Sequence, residues 1–283
     1  MNRPSNDASD EAAKLAAYSL GHTDRELNRL SVQARLIGPI TRRFFADAGI
    51  GPGMRVLDIG SGAGDVAFLA AELVGDTGEV VGTDRSGTAL AVARERTGER
   101  SLHNVSFREG DPAEMSFDSP FDAIVGRYVL MFQPDPIAML RKVAAHGRAG
   151  AVIVFHEPFR DGVRSYPPVA AYDHGWDLVD ETFRRTGADP LMGIKLHATF
   201  LAAGLPAPTM RMESVIAGGT TCSDQVHFEM DVVGTLISEM ERLGIASPTD
   251  VEADTLAERV LEQVRVNENV IVGRAEVAAW SRT

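Results

Sequence analysis

VLDIGSGAGD, residues Val56 to Asp65, decides how the rest of the chain is read. An apolar run of Val56, Leu57 and Ile59 ends in glycines at 60, 62 and 64, and an acid, Asp58, stands two residues before the first of them. Such a run predicts a short buried strand that closes in a tight turn. Without Cβ atoms, the turn lets a ligand lie against backbone N–H groups at the start of the next helix, where partial positive charge favours an anion. A close-packed strand-to-helix corner uses glycines in the same way, so the turn alone leaves both readings open.

The same texture repeats along the chain. EVVGTD (Glu79 to Asp84), NVSFREGD (Asn104 to Asp111), FDAIVG (Phe121 to Gly126) and AVIVFHE (Ala151 to Glu157) are short runs rich in β-branched residues. Helical stretches at Asp65 to Val74, Gly87 to Thr97 and Asp135 to His146 separate them. Strands alternating with helices predict βαβ units and a parallel sheet, with ligands bound at the carboxyl ends of the strands. A helix at Pro190 to Leu205, a strand near Thr209 to Ala217 and a last strand near Asn269 to Trp280 complete the pattern. The expected fold is α/β, a Rossmann-like, seven-stranded, mostly parallel sheet with helices on both faces. Residues 1–49 are expected to be a tail and helical cap, 50–158 the ligand-binding core, and 159–283 the rest of the core with helical lid insertions at 159–189 and 218–268.

Composition limits the chemistry. The 283 residues include 44% hydrophobic ones, enough to bury a full core. A formal net charge of −12 opposes a polyanionic partner, so nucleic acid is not expected. The single cysteine, Cys222, excludes a disulfide framework, and no clustered set of metal ligands is evident. The polar, acidic start of the chain and the lack of a long apolar run predict a cytoplasmic protein without membrane attachment.

Two more acids stand at strand ends. Asp84 is placed either to bond a ribose hydroxyl pair or to cap the next helix, a task that Ser86 could also take. Asp111 either accepts from an adenine amino group or closes an Asp-Pro turn. In order and spacing, LDIGSGAGD, VVGTDRS, REGDPAEMSF, FDAIVGRYVLMF and GRAGAVIVFHEP resemble the class I S-adenosylmethionine-dependent methyltransferases. YSLGHTDRELNRLSVQ is similar to the helical cap of bacterial small-molecule members. The resemblance implies S-adenosyl-L-methionine as cofactor, with Gly60, Ser61, Gly62 and Gly64 facing its methionine part and Asp58 holding the amino group. It further implies Asp84 and Arg85 at the ribose, and Gly110, Asp111, Pro112 and Ala113 along the adenine. Arg127 and Tyr128 would line the methionine end, and Tyr18 and Gln33 would be cap contacts. A nicotinamide-dependent oxidoreductase fits less well, because the glycines are spaced G-x-G-x-G and Asp58 stands where dinucleotide folds keep an apolar residue. A protein that binds S-adenosylmethionine without turnover is the third alternative.

The implied reaction is in-line methyl transfer to a small organic acceptor, aromatic or lipophilic, of secondary-metabolite type. Glu157, and after it His156, are the candidate bases at the end of the fifth strand; adjacent strand residues point to opposite faces, so one of the two should reach the pocket. Tyr166, Tyr172, Trp176 and Phe228 are expected to bind the acceptor from the insertions, which also offer surfaces for a homo-oligomer. Replacing Asp84 by Ala should weaken cofactor binding by about 1.5–3 kcal/mol for each charge-assisted hydrogen bond lost, read by calorimetry; an unchanged affinity would place the ribose elsewhere.

Overall fold

A computed structural model describes residues 24–283. In chain order its elements are α1 (Asp24–Asp47), β1 (Arg55–Ile59), α2 (Asp65–Val74), β2 (Glu79–Asp84), α3 (Gly87–Glu99), β3 (Val105–Glu109), β4 (Phe121–Arg127), α4 (Pro136–Ala144) and β5 (Gly147–Phe159). There follow β6 (Arg164–Tyr166), α5 (Ala170–Thr186), α6 (Met192–Ala202), β7 (Thr209–Gly218), α7 (Ser223–Arg242), α8 (Pro248–Val251), α9 (Leu256–Asn267) and β8 (Val270–Arg282). The chain forms two compact units. The larger comprises Ala34–Val163, Ala188–Val215 and Val272–Thr283; the smaller comprises residues 24–33 with Arg164–Gly187 and Ile216–Ile271.

The larger unit carries the alternation read from the sequence. Its strands run in the order β3-β2-β1-β4-β5-β8, with β7 also paired to β8. The pairs from β3 to β5 are parallel, and β5 meets β8 antiparallel. Eight strands are present among the described residues, one more than expected; the extra one, β6, is three residues long and belongs to the smaller unit. Val56, Leu57, Val80, Ile124, Val125 and Val152 to Phe155 are buried, because α2, α3, α4 and α6 supply apolar faces such as Ala67, Leu90, Leu140 and Phe200. Strands covered on both faces read as near-continuous apolar runs, which is the texture the sequence shows. β1 lies between β2 and β4, so the chain reverses its direction of travel across the sheet at this point, and the carboxyl ends of β1 and β4 lie side by side.

The smaller unit packs three helices, α5, α7 and α9, around Tyr172, Trp176, Val179, Phe228, Val233, Val260 and Val264. Here the structure corrects the expected acceptor roof. Tyr172, Trp176 and Phe228 are buried as core of this unit, and Tyr166 is 76% exposed. The physical reason is helical spacing: residues 172 and 176 share one face of α5, and an aromatic stripe of that kind gains most by facing another helix.

Gly64 is the glycine on which the β1-to-α2 corner turns. Its φ is +90°, and a Cβ there would lie 2.8 Å from Phe68 Cζ and 3.1 Å from Phe107 Cζ. Gly64→Ala should therefore lower the unfolding free energy by about 1–3 kcal/mol in urea denaturation, from strain and overpacking together. Gly62→Ala, where φ is +51° but no atom lies within 4 Å of the added carbon, should cost less.

Candidate functional site

The site is built from the ends of four neighbouring strands of the larger unit. β1 delivers Asp58 and the turn after it. Gly60, Gly62 and Gly64 all have positive φ, at 66°, 51° and 90°. Around the turn, Ser61 N–H donates to Thr83 O and Gly64 N–H to Ser61 O, each at 2.9 Å. Asp84, at the end of β2, accepts from Gly62 N–H at 2.9 Å and from Ser86 N–H at 2.8 Å. The cap of α3 is Ser86, whose hydroxyl accepts from Ala89 N–H. Asp84 is thus released from capping and ties the glycine turn to β2. Two carboxylate oxygens offer about four acceptor sites, so these two bonds leave room for a pair of hydroxyls.

Asp58 is fully buried, and neither of its oxygens has a hydrogen-bond partner of proper geometry. Burial pushes its carboxyl well above the ordinary range; the positive charge of Arg127 opposes that shift, and the Ala67 N–H dipole does so to a lesser degree. A buried carboxyl left unsatisfied costs free energy unless something else meets it. The Ser61 hydroxyl, three residues on, is likewise buried without a partner. Together with the open space over Gly62, these groups fit the ammonium end of an amino-acid-bearing ligand. A cavity of about 300 Å³ is lined by Gly38, Asp65, Phe68, Leu69 and Arg127 among others; of these, Asp65 and Arg127 act on the charge of Asp58.

On the far side of β2, Arg85 pairs with the Asp111 carboxylate, whose other oxygen accepts from Ala113 N–H at 2.9 Å. The Asp-Pro turn is therefore real, and it is bridged to the residue after Asp84. Gly110 N–H donates to Asp84 O, and Pro112 O accepts a hydrogen bond from His146 Nε2. Arg85, Gly110, Asp111, Pro112 and Ala113 are thereby brought together along one edge.

The candidate bases are placed on opposite faces of β5, as strand geometry requires, yet neither is open. Glu157 is fully buried. Its Oε1 accepts from Val129 N–H at 2.9 Å and Leu130 N–H at 2.8 Å, and its Oε2 from Met131 N–H at 3.3 Å. Its carboxylate is spent on the short helical turn that comes after β4, which corrects the expectation that it meets the acceptor. His156 is fully buried too, with Nε2 2.8 Å from Glu276 Oε2 and Nδ1 3.2 Å from Thr41 Oγ1. Burial lowers the imidazole pKa, against the Glu276 carboxylate, which raises it. Burial would raise Glu276, but Arg274, His156 and Tyr128 outweigh it and bring its pKa down to about 2. Tyr128 O–H donates to Glu276 Oε2 at 2.7 Å, Arg274 Nε to Glu276 Oε1 at 3.0 Å, and Arg127 Nη1 to Thr41 Oγ1 at 3.2 Å. The sequence reading missed Thr41, Arg274 and Glu276. The available signal was RAE, two charges at alternate positions in the otherwise apolar strand from Val270 to Trp280.

Of the expected cap contacts, Tyr18 lies outside the described residues, and Gln33 is buried. Among the described residues no group of three or more His, Cys, Asp or Glu is placed to hold a metal ion, and no helix is long and apolar enough to cross a membrane.

Comparison with known proteins converges on one family. A family model described as a methyltransferase domain matches residues 50–186. Aklanonic acid methyltransferase of a Streptomyces species is 36% identical over 157 residues, covering 55% of this chain and 70% of that protein. The 2-phytyl-1,4-naphtoquinone methyltransferase of Synechococcus elongatus is 37% identical over 123 residues, 42% of this chain and 53% of that protein. The chain thus spans about half the length of the naphtoquinone methyltransferase and 70% of the aklanonic acid methyltransferase. A solved methyltransferase-like structure from Bacillus halodurans shares the fold with a TM-score of 0.57 at 17% identity, over 87% of this chain and 99% of its own. So does the cyclase SpnF, with a TM-score of 0.53 at 19% identity, over 87% and 80%. The fold by itself therefore does not name the reaction.

The sealed Glu157 gives a pH dependence. Burial, against the three N–H bonds, raises its carboxyl from 4.5 to about 8. A folded-state pKa above the unfolded one adds stability that is complete below about 4.5 and is lost as pH rises through about 8. Wild-type unfolding free energy should therefore decline over that window relative to Glu157→Gln, measured by urea titrations at several pH values. Parallel profiles would mean that Glu157 is ionised throughout.

Proposed function

Because this chain belongs to the class I S-adenosylmethionine-dependent methyltransferases, we propose that it transfers a methyl group to a small organic acceptor. The observation that carries the reading is the buried Asp58 carboxyl with both oxygens unpartnered, next to a glycine turn with open space above Gly62. That is a receptor for a cation, and the family's cofactor ends in an ammonium. When bound, the cofactor supplies an electrophilic methyl group on a positively charged sulfur.

The chain's own residues do the rest. Asp58 holds the ammonium, and Arg127, close enough to oppose the effect of burial on Asp58, stands at the same end. Asp84 has acceptor sites left for the ribose hydroxyls, and the bridged Arg85 and Asp111 edge the base. His156 and Glu157 are sealed inside the protein, so β5 offers no proton acceptor to the substrate. The rate then comes chiefly from holding an already nucleophilic atom in line with the methyl carbon, an effect that can supply about 7–11 kcal/mol. The similarity to methyltransferases named for a naphthoquinone and for aklanonic acid supports a polycyclic or quinone-type acceptor. A cytoplasmic location, no nucleic-acid or membrane partner, and a homo-oligomer built on the insertions belong to the same reading.

Calorimetry should find binding of S-adenosylmethionine and its demethylated product and none of NAD, and mass spectrometry over a panel of phenols, quinones and polycyclic acids should find a methylated product. Asp58→Asn should weaken cofactor binding by about 1.5–3 kcal/mol while leaving the free protein as stable or more so, because it removes an unpaired buried acid. Thermal melts with and without cofactor read both effects. An Asp58→Asn protein that binds as tightly as wild type would remove the basis of the assignment.

A further inference from the structure

We propose that Glu276, with Arg274 beside it, is a positioning residue for the cofactor end of the site, acting through the hydroxyl of Tyr128. The proposal rests on the reading above that Arg127 and Tyr128 line that end.

Backbone strain singles out Tyr128. Its φ is +57°, a left-handed conformation that a bulky side chain keeps only when its surroundings over-determine it. Three contacts do so. Its N–H donates to His156 O at 2.9 Å, its O–H donates to Glu276 Oε2 at 2.7 Å, and its oxygen accepts from Arg274 Nη2 at 3.2 Å. The guanidinium carbon of Arg274 also sits 5.1 Å from the centre of the ring. The phenol is therefore fixed from β8, a strand more than a hundred residues away in sequence.

The neighbours of Tyr128 in the chain both act on the site. Val129 presses on the glycine turn: a Cβ at Gly60 would lie 2.8 Å from Val129 Cγ2. On the other side of Tyr128, Arg127 donates to Thr41 Oγ1 and is the charge that acts most strongly on Asp58. Displacement of Tyr128 would thus move both the residue that packs on Gly60 and the cation that faces Asp58.

Glu276 also sets the hydrogen-bond sense of the network. As an ionised carboxylate it only accepts, so His156 donates from Nε2. Thr41 has one proton and two acceptors within reach, Ile37 O at 3.0 Å and His156 Nδ1 at 3.2 Å. The Thr41 oxygen lies within hydrogen-bond reach of both His156 Nδ1 and Arg127 Nη1, and so joins the imidazole to the guanidinium. One carboxylate thereby orients Tyr128 directly and Arg127 through His156 and Thr41. Burying an acid and a guanidinium in an apolar strand is not the most stabilising way to fill that space, since apolar residues of similar volume often give equal or better stability. Fixed geometry is what the pair supplies.

The test uses Glu276→Gln, Tyr128→Phe and the double variant of the full chain. Cofactor affinity by calorimetry should fall about tenfold in each single variant, and the double variant should be no weaker than the weaker single one, because both remove the same contact. Nuclear magnetic resonance with isotope-labelled tyrosine gives a readout that needs no cofactor. The Tyr128 resonance, identified by its absence in Tyr128→Phe, should move in Glu276→Gln and ionise at lower pH, with Arg274, Arg127 and His156 still facing it. Losses that multiply in the double variant, or an unmoved Tyr128 resonance with wild-type affinity in Glu276→Gln, would overturn the proposal. If Glu276→Gln does not fold, Tyr128→Phe decides alone, since wild-type affinity without the hydroxyl overturns it. Wild-type protein that binds no S-adenosylmethionine would sink the functional reading as well. Binding by wild type that Glu276→Gln leaves unchanged, with an unmoved Tyr128 resonance, sinks this proposal only.

Discussion

Three backbone N–H groups converge on the single buried carboxyl of Glu157 and fix the path of the chain as it leaves β4. The other features of the site depend on that path. It holds Val129 against Gly60, it requires Tyr128 to take a left-handed conformation, and it keeps Arg127 at the end of β4, level with His156 in the sheet register. Had the turn after β4 been free, the glycine turn of β1 would face a mobile neighbour. Clamped, the turn after β4 gives the glycine turn a fixed neighbour, held by backbone hydrogen bonds.

The electrostatics show what such a site costs. At the carboxyl ends of its strands and on β8 the larger unit buries Asp58, Glu157, Glu276, Arg127 and His156. Their fates differ because their partners differ. Glu276 meets two donors from side chains and a neighbouring guanidinium, so it stays ionised. Glu157 meets only backbone dipoles, and burial prevails. Asp58 has no hydrogen-bond partner of proper geometry, only the Ala67 N–H dipole and the Arg127 charge acting on it. A fold under selection for stability alone would satisfy all three in the same way. The unequal satisfaction sets Asp58 apart from the other two, and it is the feature on which the proposed function rests.

The acids at the ends of β2 and β3 divide their capacity. Asp84 accepts from one N–H of its own turn and one of the β1 turn, and Asp111 from one N–H of its own turn and from Arg85, so neither carboxylate has all its acceptor sites filled by these bonds. A role in the local turn therefore does not exhaust either acid. The helix cap that would have consumed Asp84 is supplied by Ser86 instead.

Features that arise from neighbours along the chain were legible in the amino-acid sequence. The alternation of β-branched runs with helical stretches located β1 to β5 and α2 to α4, because a strand buried on both faces can be made only from consecutive apolar residues. The glycines at 60, 62 and 64 announced the positive φ values, since few other residues adopt them cheaply. Strand alternation also put His156 and Glu157 on opposite faces. What each side chain meets there depends on the tertiary fold. Thr41 reaches His156 across 115 positions, and His156 reaches Glu276 across 120, while the three N–H groups held by Glu157 belong to the turn after another strand. In the same way, the spacing of Tyr172 and Trp176 marks a helix face without saying that its partner is α7 rather than a ligand. Whether an acid is a base, a clamp or a receptor depends on desolvation and on donors brought from elsewhere in the chain, and neither is written in its local sequence.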